Sequence, residues 1–345
     1  MAASDSVLVI GGGGFIGKPL VSLLRESGCR VKVASRQASG RDEPGLEFRR
    51  ADVGNPDSIR SAVEGASVVY YLATGSCQSW AEAHRDFVEG AANVAGACQA
   101  NGVRRMIYVS SSAALYLGGA AGTDETAGTD PQPGGRGFYA RGKIEAERML
   151  LELHARSGLP VVIVRPAIVV GRGSSHCHSG VGQWPADTCC LGWGRGKHPL
   201  PFVLVEDAAR ALAAAKDVPG IEGQCFNLAG DVRLSAKEFL SLLRERSLRN
   251  FRFYPQSLWK MQAIEILKWG LKVAARKPDN PWPSFRDLKS RSMRAPMDCA
   301  LAKRVLGWKP TQSLEVFLGE AIDGNLSRIP PGDLRRAASS GPAFQ

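Results

Sequence analysis

The stretch that most restricts this chain is "GGGGFIG", residues 11 to 17, which follows a β-branched run "SVLVI" and leads into "KPLVSLLRESG". Residues without a Cβ permit a tight turn, and here the turn joins a strand to a helix. Gly11, Gly14 and Gly17 give one G-x-x-G-x-x-G spacing, while Gly12, Gly14 and Gly17 also satisfy G-x-G-x-x-G. Such a turn brings backbone N–H groups and the positive end of a helix dipole close to a pyrophosphate. Its context, directly after a strand and before a helix, is what separates it from a chance run of glycines.

The next 150 residues or so repeat the same rhythm. Apolar runs "RVKVASR", "LEFRRAD", "SVVYYLA", "RRMIYVSSS" and "PVVIVRP" predict strands, with helices beginning near Phe15, Pro56, Glu82 and Phe138. Strands alternating with helices predict a parallel sheet with crossover helices, an α/β fold of the Rossmann type with a doubly wound parallel sheet. Between the fifth strand and the helix at Phe138, "LGGAAGTDETAGTDPQPGGRG" predicts a long loop. Past Pro166 the pattern turns irregular through residue 200. "LPFVLVEDAARALAAAK" and "QCFNLAG" then predict returns to the main sheet, and 235 to about 325 predicts mostly helix. The expected division is a dinucleotide domain of residues 1–171 and 201–232. A smaller, mostly helical C-terminal substrate domain comprises 172–200 and 233–327, with a disordered tail from 328 to 345.

The end of the second strand bears on which dinucleotide binds. "VASR" offers Ser35 and Arg36 and no carboxylate, which suits a 2′-phosphate and favours NADP over NAD. Asp52, closing "FRRAD", stands where a carboxylate accepts from the adenine amino group. "FYARGK" places Tyr139 and Lys143 four residues apart, on one face of a helix. An ammonium beside a phenol favours the ionised phenol, so the expectation is a proton donor and acceptor usable nearer neutral pH.

Taken in order, "GGGGFIG", "AD" at 51–52, "YYLAT", "GVRRMIYVSSSAALY", "YARGK", "RPAIVVG", "FVLVEDAARA" and "AKRVLGWKPTQSLEVFLGEAI" resemble the extended short-chain dehydrogenase/reductase family. That group contains nucleotide-sugar epimerases and 3β-hydroxysteroid dehydrogenases. The resemblance implies catalysis by Ser112, Tyr139 and Lys143, with Ser111 as a substitute or substrate contact. It places Phe15, Ile16, Val53, Leu72, Ala73, Thr74 and Pro166 on the cofactor beside Gly11, Gly14, Gly17, Ser35, Arg36, Asp52, Tyr139 and Lys143. His178 and Trp184 would line the substrate pocket. Two departures stand out. "DFVEG" puts Phe87 where the family often has an asparagine, which weakens a proton relay through that position. "SSAALY" lacks the Thr-Asp-Glu of the sugar 4,6-dehydratases, which disfavours dehydration.

The expected activity is therefore NADP-preferring oxidoreductase or epimerase chemistry at a secondary alcohol or ketone. The first expectation is a nucleotide-sugar-type substrate; the alternatives are a 3-oxo or 3-hydroxy lipid or sterol-like substrate, and a non-catalytic NADP sensor. The net charge of +11 favours acidic partners, but the basic residues are spread out and carry no nucleic-acid motif. Nucleic acid is not expected as a partner. Eight cysteines without repeated spacing suit reduced thiols in a cytoplasmic protein, with no signal segment and no membrane span expected. His176, Cys177, His178, Cys189 and Cys190 gather within 15 residues but lack the commoner zinc spacings, so no metal is expected. Trp259, Ile266, Leu267, Leu271 and Ala274 alternate with Lys260, Lys268, Lys272 and Arg276. The segment suits a helix packed on the substrate domain or, alternatively, peripheral contact with an anionic membrane. Relatives of this type commonly form homodimers through two helices of the sheet layer.

Overall fold

The computed structural model describes residues 5–37, 40–276 and 280–328. Its centre is a seven-stranded parallel sheet built from β1 (Ser6–Ile10), β2 (Arg30–Ser35), β3 (Leu46–Arg50), β4 (Val68–Tyr71), β5 (Arg105–Val109), β6 (Val161–Pro166) and, late in the chain, Cys225–Leu228. Between β6 and that last strand come β7 (Ile168–Val170), β8 (Gly182–Ala186), β9 (Cys189–Gly192) and β10 (Phe202–Leu204), so the last strand of the main sheet is β11. The order across the sheet is β11-β6-β5-β4-β1-β2-β3, with every pairing parallel. The order reverses between β1 and β4, and a crevice opens there at the strands' carboxyl ends.

Alternation along β1 shows how the two faces are filled. Val7 and Val9 point to a layer made by α1 (Gly17–Glu26) and a later helix, α6 (Val205–Ala215). Leu8 and Ile10 point to the opposite layer of α2 (Pro56–Val63), a helix α4 (Gly90–Ala100) and α5 (Phe138–Ser157). The short α3 (Trp80–Ala83) runs through a π-helical turn, His84–Glu89, into α4. Helix α2 starts where Pro occupies its first turn and Asn55 accepts from the N–H groups of Asp57 and Ser58.

The C-terminal part has its own apolar cluster, in which Phe202, Phe239 and Phe317 meet Ile168 and Val170. It contains α7 (Ala236–Ser247), a strand β12 (Arg252–Tyr254), α8 (Leu258–Ala274), α9 (Phe285–Arg291), α10 (Ala300–Val305) and α11 (Leu314–Ala321). Three expectations change here. Only β11 of the two predicted returns joins the main sheet. The other, β10, pairs with β7 in a separate two-stranded sheet, because the chain turns out of the main sheet after Pro166. The irregular 172–200 segment folds into the β8–β9 hairpin, to which β12 adds a third strand. Cys299, Ala302, Leu306 and Trp308 pack back onto the main sheet rather than staying with the helical part. The tail lies outside the described residues from 329 onward.

The long loop before α5 is held by buried charge. Asp130 accepts from Arg136 at 2.8 Å and from Arg286 of α9 at 2.6 Å. Burial alone would raise that carboxyl, but Arg286, the Gln132 N–H and Arg136 hold it below its ordinary range.

Candidate active site

A cavity of about 820 Å³ runs from the glycine turn to the C-terminal helices. At one end lie Gly11, Gly14, Phe15, Ile16 and Gly17, with Leu72 and Thr74 from the end of β4 and Pro166 from β6. The close packing explains the glycines. A Cβ on Gly17 would sit 2.4 Å from the Gly11 carbonyl oxygen, and one on Gly11, whose φ is 87°, would sit 2.9 Å from the Ala73 nitrogen. Helix α1 begins here with no side-chain cap and no acid in its first turn; the Lys18 N–H is taken by the Gly14 carbonyl at 3.0 Å and Pro19 has none, so the turn offers an anion chiefly the positive end of the helix dipole. These residues fit a dinucleotide pyrophosphate.

The other expected cofactor residues border this end. Arg36 is exposed just beyond β2, and Ser35 ends that strand. Asp52 spends one carboxylate oxygen on the Gly54 N–H at 3.0 Å and is exposed after β3. Val53 packs against Gly90 and accepts from Asn93 at 2.8 Å. Ala73 contributes the backbone that Gly11 approaches. None of these five lines the cavity as found.

The middle of the cavity holds Ser111, Ser112, Tyr139 and Lys143. Lys143 is fully buried, and its Nζ donates to the Val109 carbonyl at 2.9 Å while facing the rings of Phe87 and Tyr108. Burial pushes the Lys143 ammonium down to about 8, against the carboxylate of Glu147 one turn on, which raises it. Loss of hydration on the cavity wall raises the Tyr139 phenol, though the residue is still 36% exposed, and a hydrogen bond with the Ser111 side chain works the other way. The ammonium expected beside this phenol donates instead to Val109 and faces two aromatic rings. The phenol stays protonated at neutral pH and is suited to donate a proton. The hydroxyl set against Tyr139 is that of Ser111, whereas Ser112 opens a short 3-10 turn and is 3% exposed.

Phe87, at the position where an asparagine was the alternative, is buried and lies edge-on to Tyr139 at 5.6 Å. An apolar ring therefore closes the side through which a polar residue could have led protons away from Lys143.

At the far end, Leu117, Ile168, Val169 and Met293 supply apolar walls, and Cys177, His178 and Ser179 approach from the hairpin loop. His178 accepts at Nδ1 from the Gly180 N–H, and burial lowers its ring below its ordinary range. Trp184 does not line the cavity; its Nε1 donates to the His178 carbonyl at 3.0 Å and so positions that loop. His176, Cys177 and Asp187 bring ligand-type atoms within 4.8 Å of one another. His176 Nε2 and Cys177 Sγ both engage the Asp187 carbonyl, and burial pushes the Cys177 thiol up to about 11.

Among the lining residues missed from sequence are Arg136, Asp287, Ser290, Arg291 and Met293. Asp287 is their hub, accepting from Arg136 at 3.2 Å, Arg291 at 2.7 Å and the Gly137 N–H at 3.0 Å. Against burial, Arg291, Gly137 and Arg136 hold its carboxyl low. The only signal in the sequence was the i, i+4 spacing of Asp287 and Arg291, which says helix but not pocket.

Comparison with known proteins follows from this geometry. The profile of the NAD dependent epimerase/dehydratase family matches residues 7–229. A 2-alkyl-3-oxoalkanoate reductase of Shewanella oneidensis is 25% identical over 263 residues, 70% of this chain and 66% of that one. A 3beta-hydroxysteroid-dehydrogenase/decarboxylase, isoform 1, of Arabidopsis thaliana is 26% identical, covering 92% of this chain and 78% of that one. Among solved structures, a UDP-glucose 4-epimerase of Thermotoga maritima with UDP-glucose superposes with a TM-score of 0.68 at 21% identity, over 94% of this chain and 99% of the other. MoeE5 in complex with UDP-glucuronic acid and NAD gives 0.70 at 22% identity, over 94% and 100%. At that identity the structures testify to the fold.

Proposed function

The chain belongs to the NAD dependent epimerase/dehydratase family, and on that premise we propose an NADP-preferring oxidoreductase acting at a secondary alcohol or ketone on a largely apolar, 3-oxo-type substrate. When bound, the nicotinamide supplies or takes the hydride. The glycine cradle and the N-terminus of α1 hold the pyrophosphate. The buried Lys143 ammonium would meet the nicotinamide ribose, Tyr139 would give a proton to the substrate oxygen, and Ser111 or Ser112 would hold that oxygen in place. Arg36 and Ser35, with no carboxylate beside them, support the NADP preference.

One observation carries the substrate class. On the substrate side Arg136 is buried and spent on Asp130 and Asp287, and the more exposed Arg291 holds Asp287 through Nε, while Leu117, Ile168, Val169 and Met293 line the walls. A nucleotide sugar's diphosphate would have only the outer nitrogens of Arg291 to meet there. An acyl chain or a sterol needs only apolar wall. The names of the Shewanella and Arabidopsis relatives support the same class. A homodimer through two helices of the sheet layer rests on the resemblance and is read by sedimentation.

The test follows the reduced-nicotinamide absorbance with purified protein against 3-oxoacyl esters, 3-oxosterols and UDP-sugars. Turnover of a 3-oxo substrate with NADPH is expected. Turnover confined to UDP-sugars would overturn the substrate class, and none with any carbonyl would favour a sensor.

A further inference from the structure

Helix α8 carries much of its apolar surface on the side away from the protein. Inward, Met261 and Gln262 are buried, and Met261 and Leu258 join a small cluster with Trp193 and Leu288. Outward, Ile264, Leu267 and Leu271 are 50%, 66% and 65% exposed. These three fall at i, i+3 and i+7, so they form one continuous stripe. Two exposed tryptophans border it: Trp259 at the start of the helix, stacked on Phe285, and Trp282 at its end, against Trp269. Single exposed apolar side chains are ordinary, but a stripe with aromatic borders marks a contact surface.

The charges on the helix identify what the contact is with. Lys260 lies on the stripe itself, and Lys268 and Lys272 follow Leu267 and Leu271 by one residue, about 100° round the helix. Lys268 pairs with Glu265 at 2.8 Å; among the described residues Lys260 and Lys272 show no ion pair. We propose that this face of α8 docks on an anionic lipid surface, with the leucines and tryptophans in the headgroup boundary and the lysines at lipid phosphates. A second copy of the chain fits poorly, because a two-fold antiparallel contact about the helix middle would set Lys260 of one copy near Lys272 of the other. The net charge of +11 biases the whole molecule towards such a surface.

Docking there sets the substrate pocket one helix from the lipid. Gln262 donates to the Pro283 carbonyl at 2.7 Å and Met261 packs on Leu288, while the same helix α9 supplies Asp287, Ser290 and Arg291 to the cavity. The surface proposal needs no particular substrate, so it and the reading of the pocket fail separately.

Flotation of the full chain on phosphatidylcholine vesicles, with and without phosphatidylserine, tests it. Binding is expected only with phosphatidylserine and should fall with salt. Leu267→Glu/Leu271→Glu should weaken it by roughly tenfold or more, with circular dichroism and NADPH affinity unchanged. Lys260→Glu/Lys272→Glu should weaken it comparably. Failure of the wild type to float, or flotation of the leucine variant equal to wild type, would overturn the proposal. So would a dimer in solution that the leucine variant separates, since that would give the face to a second copy.

Discussion

Glu147→Gln probes the buried pair beneath the site. Glu147 and Arg165 have side chains 0% and 1% exposed, and the guanidinium reaches Glu147 Oε1 through Nε at 2.9 Å and through a second nitrogen. Ser110 donates to the other carboxylate oxygen at 2.8 Å. Glutamine keeps the volume and most of the hydrogen bonds but leaves the Arg165 cation without its counter-charge. Breaking a buried pair in this way costs about 3–5 kcal/mol, and the retained bonds place the loss near ~3 kcal/mol. The substitution also removes the anion that raises Lys143, so that ammonium should fall below its wild-type value of about 8. The sign of the pH effect follows. Lys143 titrates lower in the folded chain than at its ordinary 10.5, so between the two values the unfolded chain binds more protons, and this group's contribution to stability rises with pH. In the variant that rise should begin at lower pH. Urea unfolding of both proteins across neutral to alkaline pH measures the two effects together. A loss under about 1 kcal/mol together with an unshifted pH dependence would refute the account of Glu147 as counter-charge to both cations.

Tyr139→Phe should leave NADPH affinity nearly intact and reduce turnover by about 10² to 10⁴; comparable turnover would remove Tyr139 from the chemistry. Ser111→Ala should lower turnover more than Ser112→Ala and raise the Tyr139 phenol further, read from the pH–rate profile; the reverse order would return the role to Ser112. Arg36→Ala should weaken NADP about ten- to a hundredfold and NAD far less, and the loss should shrink at high salt. Titration of both cofactors decides it, and equal loss of both would leave Arg36 a solvated side chain.

The main sheet was legible because β1, β2, β4, β5 and β6 are short runs rich in Val, Ile and aromatic residues, and because α2 carries a start signal in Asn55 and Pro56. The cofactor end was legible for a related reason: a Cβ at Gly17 would collide with backbone, so the local sequence must declare the turn. The substrate end was not. Asp130 meets Arg286 across 156 residues and Asp287 meets Gly137 across 150, and no local pattern announces pairs that the tertiary fold alone brings together. The Tyr139–Lys143 spacing was silent in the same way, since it gives the shared helix face but not the Val109 carbonyl that takes the ammonium's hydrogen bond. The departure of β10 from the main sheet was equally hidden, because "FVL" reads the same in either sheet.

Asp287 has a consequence for anyone who would change what the pocket accepts. It sits in the helical part of the chain, yet it binds the N–H of Gly137, the residue that opens α5, and lends negative charge to the end of that helix where a dipole favours it. Two residues later on α5 comes Tyr139. A chimera that exchanged the C-terminal helices for those of a relative with another substrate would therefore also exchange the clamp on the catalytic helix. It would strand Arg136 and Asp130 without their partners on α9. The transferable unit is not the helical part but the helical part together with the loop from Asp130 to Gly137, and grafts cut between them should lose rate before they gain specificity.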